Sequence, residues 1–231
     1  SEINLELFKN NHSIPIIIDQ DLLKSKYLKQ RPKITNILIE NKPNVGVIHG
    51  LWANDLGMGG IIPIQTSWFP SNNDFELKLT GLQGDVMKES MNVAKSLTFN
   101  LTDKKTIKKL KDTNVLKGIH IHCPEGAVPK DGPSAGAAIT TCIYSLLNNK
   151  KINNTYAITG EITLKGKVTA IGGLEHKIRG GIDAGVKTFL YPKDNHDDFI
   201  KIKEKLPEMI EIATFIEVEY IQQIFDIIFV S

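Results

Sequence analysis

The chain has 231 residues, of which 41% are hydrophobic and 23% are charged, and its formal net charge is +2. This composition is typical of a globular protein made of one domain, or of one domain with an attached piece. The small net charge gives no support for nucleic acid as a partner. No apolar run reaches the length of a membrane span, and no signal peptide is recognisable. We therefore expect an intracellular protein with no membrane partner, in the cytoplasm, and leave a mitochondrial matrix or viral origin open.

The first 40 residues differ in pattern from the rest and are predicted to form an attached piece. Residues 14–18 favour a short strand, and a helix is predicted to follow it and to end before Pro32. The sequence starts at Ser1 without a methionine, so we expect the chain to be a fragment of a longer protein.

From residue 41 onward, the predicted elements alternate between strands and helices. Apolar or alternating segments predict strands at residues 45–50, 61–69, 76–81, 118–123 and 156–159. Apolar residues at helical spacing predict an amphipathic helix over residues 85–97 and a buried helix over residues 134–147. This order of elements indicates an α/β or α+β fold.

Ser134 is the first candidate for a catalytic role because of the three segments that lead to it. A strand ends at Cys123, a stiff loop rich in proline and glycine covers residues 124–133, and the buried helix begins at or beside Ser134. The first N–H groups of a helix lack partners within it and favour negative charge. A serine there could attack a carbonyl while such groups stabilise the oxyanion. Alternatively, Ser134 only caps the helix, as serine commonly does.

Lys177 is the second candidate. A hairpin is predicted over residues 160–168, and a short helix over residues 174–180, which the pair Gly180 and Gly181 is expected to close. In that helix Lys177 lies beside the apolar edge. A solvated lysine would extend its amine to water, whereas a lysine in an apolar pocket would lose its charge near neutral pH. A neutral lysine could accept the proton of a serine hydroxyl.

Two glycine-rich segments are similar to phosphate-binding loops but depart from them at essential positions. The series Gly57, Gly59 and Gly60 has Ile62 where the GxGxxG pattern requires glycine, and a strand follows it. Residues 160–167 have one residue too many between the two glycines of a Walker loop, and the serine or threonine after its lysine is missing. We therefore predict no ATP site in this chain.

The remaining charged and metal-ligating clusters favour structural roles. The lysine-rich segment 103–112 is interpreted as a solvated helix face, with nucleic-acid binding as the alternative. His120 and His122 lie on one face of a strand, where they could bind zinc, but no third ligand follows at a recognised spacing. We interpret them as structural or hydrogen-bonded histidines. Cys123 and Cys142 lack CxxC spacing and are predicted to be free thiols in a reducing compartment.

Several motifs together are similar to those of the Lon protease family. PKDGPSAG, preceded by PEGA, resembles the family's serine motif, and TGEITLKGKV with IGGLEHK resembles its lysine motif. GLQGDVMKES resembles a characteristic helix start, and GVIHGLWANDLGMGG resembles the loop between the first strands. The similarity covers about residues 28–192. It implies that Ser134 is the nucleophile, Lys177 the general base, Thr159 the residue that orients the lysine, and Asp131 an acidic residue beside the site.

The resemblance also implies a fold, an assembly and an activity. The expected fold is a compact α/β domain with a twisted mixed sheet and flanking helices, and the expected assembly is a homo-hexameric ring. Residues 1–40 would be the end of the AAA+ small subdomain and a linker, and residues 41–231 the proteolytic domain. The implied activity is ATP-dependent hydrolysis of unfolded or damaged proteins and peptides. ATP and Mg would bind the absent ATPase domain, with no cofactor in this chain.

The chain departs from the family pattern outside these motifs, and two other functions stay open. The family's Gly-Leu-Ala-Trp-Thr is Gly-Leu-Trp-Ala-Asn here, which moves the aromatic residue, Trp52, one place and so to the other face of a strand. Gln65 stands where the family usually has an acidic residue, and the tail beyond Pro192 is only weakly similar. The alternatives are an ATP-independent Lon-like peptidase and a non-peptidase assembly domain, which need not keep both Ser134 and Lys177.

Overall fold

The computed structural model of the chain describes residues 37–81, 84–112, 116–124 and 132–230. The predicted attached piece, residues 1–40, lies almost wholly outside the described residues and stays a prediction. Among the helices of the described ranges, none combines the length and the apolar character needed to cross a bilayer.

The strands of the described residues form one large mixed sheet and two small sheets. In chain order they are β1 (Asn44–Val45), β2 (Val47–Ala53), β3 (Gly59–Pro70), β4 (Leu77–Thr80), β5 (Lys117–His122), β6 (Lys151–Ile152), β7 (Tyr156–Ile158), β8 (Glu161–Ile162), β9 (Val168–Thr169), β10 (Thr188–Pro192), β11 (Thr214–Val218) and β12 (Phe229–Val230). The large sheet has seven strands in the order β11-β10-β7-β2-β3-β5-β4. Its central strands β2, β3 and β5 pair antiparallel, whereas β7, β10, β11 and β4 join through parallel pairs. The predicted mixed sheet is therefore confirmed.

The helices of the described residues confirm the other half of the α/β prediction. They are α1 (Asp85–Leu101), α2 (Lys104–Lys111), α3 (Gly136–Asn148), α4 (Leu174–Asp183), α5 (His196–Lys205), α6 (Pro207–Glu211) and α7 (Ile221–Ile228). Helix α1 begins at the predicted residue but runs one turn further than expected. The lysine-rich segment forms α2, in which no residue is buried, as expected of a solvated helix.

Alternate residues of the central strands pack into two cores, one on each face of the large sheet. In β2, Ile48 belongs to the core that contains the apolar residues of α1 and α3, whereas Leu51 belongs to the core of α4. In β7, Ile158 and Ala157 are divided between the same two cores. Because successive side chains of a strand point to opposite faces, these strands are buried on both sides. The sheet therefore separates α3, which follows Ser134, from α4, which carries Lys177.

Helix α4 does not end at its glycine pair, so this prediction is wrong: the helix continues to Asp183. The two glycines instead permit close packing. A Cβ atom at Gly180 would lie 2.1 Å from the carbonyl carbon of Gly59 on β3, and one at Gly181 would lie 2.5 Å from the Phe189 ring. Glycine disfavours a helix interior by only about 1 kcal/mol, and the packing of α4 against the sheet outweighs that cost.

The tail beyond Pro192, weakly similar to the family pattern, completes both cores. Strand β11 pairs in parallel with β10 at the edge of the sheet, and its Phe215 stacks on Phe189 with ring centroids 5.1 Å apart. Helix α7 packs on α3, where Phe225 stacks on Tyr144 at 4.1 Å. These contacts join residues far apart in the sequence, which is why the local pattern did not reveal them.

Substituting Gly180 by alanine is expected to lower the free energy of unfolding by about 3 kcal/mol, because the new methyl group would overlap the Gly59 backbone. Gly172 is the matched control, since a Cβ atom there meets nothing within 4 Å. Gly172→Ala should change the free energy of unfolding by less than about 1 kcal/mol. Urea denaturation followed by tryptophan fluorescence measures both variants. Equal stabilities would contradict the close packing of α4 on β3.

Candidate active site

Ser134 lies in a tight turn at the start of the buried helix, as the sequence predicted. The turn is a 3-10 helix, Pro133–Ala135, and α3 follows directly at Gly136. Gly132, just before the turn, has a φ of 139°, a conformation that side chains disfavour. The N-caps of the turn and of α3 are Gly132 and Ala135, and neither makes a side-chain capping bond. Helix capping therefore does not account for Ser134.

The residues that follow β7 tie the Ser134 turn to the large sheet. The Gly160 N–H donates to the Ser134 carbonyl at 2.8 Å, and the Ala137 N–H donates to the Gly160 carbonyl at 3.0 Å. Thr159, which is fully buried, donates its N–H to the Leu190 carbonyl of β10 at 3.0 Å. These backbone bonds fix the Ser134 turn and Thr159 relative to β7 and β10.

Lys177 reaches the same point from the opposite face of the sheet. Its amine donates a hydrogen bond to Thr159 Oγ1 at 3.2 Å, and the Thr159 hydroxyl donates to the Ser134 carbonyl at 3.4 Å. The structure thus brings together Ser134, Thr159 and Lys177, three of the four predicted site residues. This chain of hydrogen bonds ends on the Ser134 backbone rather than on its hydroxyl.

Burial changes the acid–base behaviour of Lys177. The residue is only 4% exposed, and desolvation lowers the pKa of its amine from 10.5 to about 8. Roughly a tenth of such amines are neutral at pH 7 and about half at pH 8. The alternative of a solvated lysine is therefore wrong, and burial raises the fraction of neutral amine, which is the form that a general base needs.

Asp131, the fourth predicted residue, lies outside the described residues, and its role stays a prediction. It belongs to segment 125–131, which precedes Gly132 and the Ser134 turn in the sequence. The site described above therefore rests on residues that approach Ser134 from β7, β10 and α4.

His120 and His122 are hydrogen-bonded side chains, in line with their structural interpretation. They face Thr80 on the neighbouring strand β4, whose Oγ1 lies 2.8 Å from His120 Nε2 and 2.8 Å from His122 Nδ1. Within the described ranges, no three His, Cys, Asp or Glu side chains form a group that could hold a metal ion. Cys123 and Cys142 are both buried and do not form a disulfide with each other, in line with their prediction as thiols.

Trp52, the displaced aromatic residue, lies on the α3 face of the sheet. It pairs with Gly60 on β3, where a Cβ atom would lie 2.7 Å from Trp52 Nε1. The indole packs against the core that contains Ala135, the residue next to Ser134. Its influence on substrate preference stays a prediction.

The backbone groups that hold the site were not predicted from the sequence. Gly173, with a φ of 70°, is the N-cap of α4, and its carbonyl accepts the Lys177 N–H at 3.0 Å. The pair of glycines before α4 signals a turn, but not its direction. The Leu190 carbonyl could not be found from the sequence, because a backbone acceptor carries no residue-specific signal.

Comparison with known proteins gives the family of the chain. The family model described as "Lon protease (S16) C-terminal proteolytic domain" matches residues 18–231. The Lon protease homolog of Acanthamoeba polyphaga mimivirus is 40% identical over 218 residues, which cover 92% of this chain and 21% of that protein. The Lon protease of Metamycoplasma arthritidis is 42% identical over 190 residues, which cover 82% of this chain and 22% of that protein.

A third relative is also a Lon protease. The Lon protease of Clostridium acetobutylicum is 41% identical over 181 residues, which cover 78% of this chain and 23% of that protein. The chain thus spans about a fifth of the length of the curated relatives it matches. Since the family model matches nearly the whole chain, and the serine and lysine motifs meet in space, this protein belongs to the Lon protease family and corresponds to its C-terminal proteolytic domain.

Proposed function

We propose that this domain is a serine endopeptidase in which Ser134 is the nucleophile, Lys177 the general base and Thr159 the residue that orients the lysine. The observation that carries the proposal is the buried Lys177 amine, whose pKa is about 8, bonded to Thr159 beside the Ser134 turn. The family membership supports a protease, and this geometry supports the choice of residues.

The proposed reaction is acyl transfer to the serine followed by hydrolysis. Neutral Lys177 accepts the Ser134 proton as the serine oxygen attacks the substrate carbonyl and the tetrahedral oxyanion forms. The lysine ammonium then donates its proton to the leaving amine, which leaves an acyl-enzyme. A water molecule, deprotonated by Lys177, then attacks the ester, and the lysine ammonium returns this proton to the departing Ser134 oxygen as the second product leaves. In the free enzyme the lysine is held by Thr159, and catalytic hydrogen bonds commonly tighten only when substrate binds.

The oxyanion donors are expected in the turn itself rather than deeper in α3. The Gly136 N–H donates to the Pro133 carbonyl, and the Ala137 N–H donates to the Gly160 carbonyl. We therefore assign the stabilisation of the oxyanion to the backbone N–H groups of Ser134 and Ala135. Such groups stabilise the charge that develops in the transition state, where each is worth several kcal/mol, about 3 in mutational tests.

The wider activity of the protein is proposed from its relatives. Because the chain spans about a fifth of their length, we propose that it acts as the proteolytic part of a longer, ATP-dependent protein that degrades unfolded or damaged proteins. ATP and Mg would serve the ATPase part, the domain would assemble as a homo-hexamer, and Asp131 would lie beside the site.

A non-peptidase assembly domain explains the buried lysine less well. Burial of an amine that lowers its pKa from 10.5 to about 8 reduces the free energy of unfolding by roughly 3 kcal/mol at neutral pH. A domain used only for assembly has no use for an amine with a lowered pKa, whereas a general base requires one.

Cleavage of an unstructured fluorogenic peptide tests the proposal. Ser134→Ala and Lys177→Ala are each expected to lower the rate at least about 100-fold, because one removes the nucleophile and the other the base. The exposed residues Ser96 and Lys201 provide matched controls. Ser96→Ala and Lys201→Ala should retain the parent rate.

The cleavage rates of the variants test the roles of Ser134 and Lys177 separately. Retention of the parent rate by either Ser134→Ala or Lys177→Ala would overturn the assignment of that residue. If the isolated chain is silent, the same comparison is made in the longer protein with ATP. If the longer protein with ATP also fails to cleave the peptide, the non-peptidase alternative is favoured.

Lys177→Met is expected to stabilise the domain at pH 7 by about 3 kcal/mol, because it removes a buried amine that must be protonated there. Between pH 8 and 10.5 the unfolded lysine binds a proton that the folded lysine does not. The parent therefore gains stability as the pH rises, and the advantage of methionine should shrink by about 2 kcal/mol between pH 7 and 10. Guanidinium denaturation at both pH values measures the difference in free energy of unfolding between Lys177→Met and the parent.

The control for this stability test is Lys201→Met on α5, where the lysine is exposed. Its free energy of unfolding should differ from that of the parent by less than about 0.5 kcal/mol. A Lys177→Met variant that is less stable than the parent at pH 7 would show that the amine is not held at a desolvation cost.

A further inference from the structure

The segment that leads into α4 has little rigidity of its own. It consists of Ile171, Gly172 and Gly173, and a Cβ atom at Gly172 would meet nothing within 4 Å. Gly173 has a φ of 70° and forms no side-chain capping bond at the start of α4. Two successive glycines have more conformational freedom than any other pair, so the direction in which α4 starts must be fixed from outside.

Asn195 supplies that external contact. Its Oδ1 accepts the Ile171 N–H at 2.9 Å, and its Nδ2 donates to the Ile171 carbonyl at 2.9 Å. The side chain therefore binds both backbone groups of one residue, much as a neighbouring strand would. Asn195 is only 2% exposed, and a buried amide with satisfied hydrogen bonds is costly to replace by an apolar group.

A third hydrogen bond sets the orientation of the Asn195 amide. Its Nδ2 also donates to Asp198 Oδ2 at 2.9 Å. If the amide were turned over, its NH₂ group would face the Ile171 N–H, and its oxygen would face a carbonyl and a carboxylate. The carboxylate of Asp198 thus selects the orientation in which Asn195 can bind Ile171.

The same strand supports Thr159 and the start of α4. Strand β10 accepts the Thr159 N–H at the Leu190 carbonyl, and Asn195 ends the 3-10 turn that follows this strand directly. Ile171 is followed by Gly172 and by Gly173, the N-cap of α4, and Lys177 lies one turn further, with its N–H bonded to the Gly173 carbonyl. Both partners of the Lys177–Thr159 hydrogen bond are therefore positioned from β10.

We propose that Asn195 is a positioning residue for the Lys177 base: it fixes the start of α4 relative to β10, and so keeps the amine against Thr159 and away from water. This inference rests on the proposed function, in which Lys177 is the base. Loss of the Asn195 contacts lets the first turn of α4 move, and the lysine amine then gains water and loses Thr159. A charged and displaced lysine is a poorer base for Ser134.

The test compares Asn195→Ala with Asn148→Ala in the full chain. Asn148 is the matched control, because its amide also joins two elements, by donating to Thr102 Oγ1 at 3.3 Å and to the Tyr144 carbonyl at 3.0 Å. It lies at the far end of α3 from Ser134. The measurements are kcat and KM for a fluorogenic peptide over pH 6–10, and the ¹⁵N NMR titration of the Lys177 amine.

Asn195→Ala is expected to lower kcat about tenfold or more with little change in KM, because the reacting groups are misplaced by a small distance. The Lys177 titration, and the midpoint of the kcat profile with it, should rise by about one pH unit as the amine becomes hydrated. Asn148→Ala should leave both the titration and kcat at the parent values.

The result that would overturn the inference is a Lys177 titration in Asn195→Ala that matches the parent. A purely structural role for Asn195 would lower thermal stability without moving that titration. Failure of the proposed function is a different result: in that case Ser134→Ala or Lys177→Ala would retain the parent cleavage rate. The NMR titration needs no activity, so it decides the inference even in a chain that does not cleave.

Discussion

The chemistry proposed for this domain depends on one constraint, which is that the Lys177 amine is held out of water beside Thr159. With only 4% of the residue exposed, desolvation brings the amine pKa to about 8, and Thr159 Oγ1 accepts its hydrogen bond at 3.2 Å. In water the same amine would be protonated at neutral pH and could not accept a proton from serine. The fold therefore has to bury the amine away from water, and this burial lowers the stability of the folded protein.

The close approach of α4 to the sheet provides that position. A Cβ atom at Gly59 would lie 2.0 Å from the carbonyl of His176, the residue before Lys177, and one at Gly180 would collide with the Gly59 backbone. Helix and strand thus touch through their backbones on both sides of the lysine, and water is excluded between them. The end of β7 supplies the other half of the site, since Thr159 and Gly160 hold the Ser134 turn. The geometry proposed for catalysis therefore depends on the close packing of α4 against the sheet.

The sequence predicted the parts of the site that have a local signal. The proline- and glycine-rich loop followed by an apolar helix placed Ser134 at a helix start, and the apolar edge around Lys177 left a desolvated amine as one of two alternatives. The strands and helices that lead to them were found within a few residues. Asp131 could not be compared, because it lies outside the described residues.

Long-range contacts account for what the sequence did not reveal. The pattern at Gly180 and Gly181 is the same for a helix end and for close packing, and only the presence of Gly59 and Phe189 decides between them. Asn195 resembles any turn asparagine until its contact with Ile171, a residue 24 positions earlier, is seen. Strand pairing in the small sheet of β1, β6 and β12 joins residues from both ends of the domain, which no local pattern encodes.

The most direct test of this account is the pH dependence of the covalent reaction of Ser134 with a phosphonate probe. If the buried Lys177 amine activates the serine, the labelling rate should rise with pH and level off with a midpoint near the Lys177 pKa of about 8, and Lys177→Met should abolish this rise. A labelling rate at Ser134 that is independent of pH from 6 to 10, or that keeps its midpoint in Lys177→Met, would contradict the account.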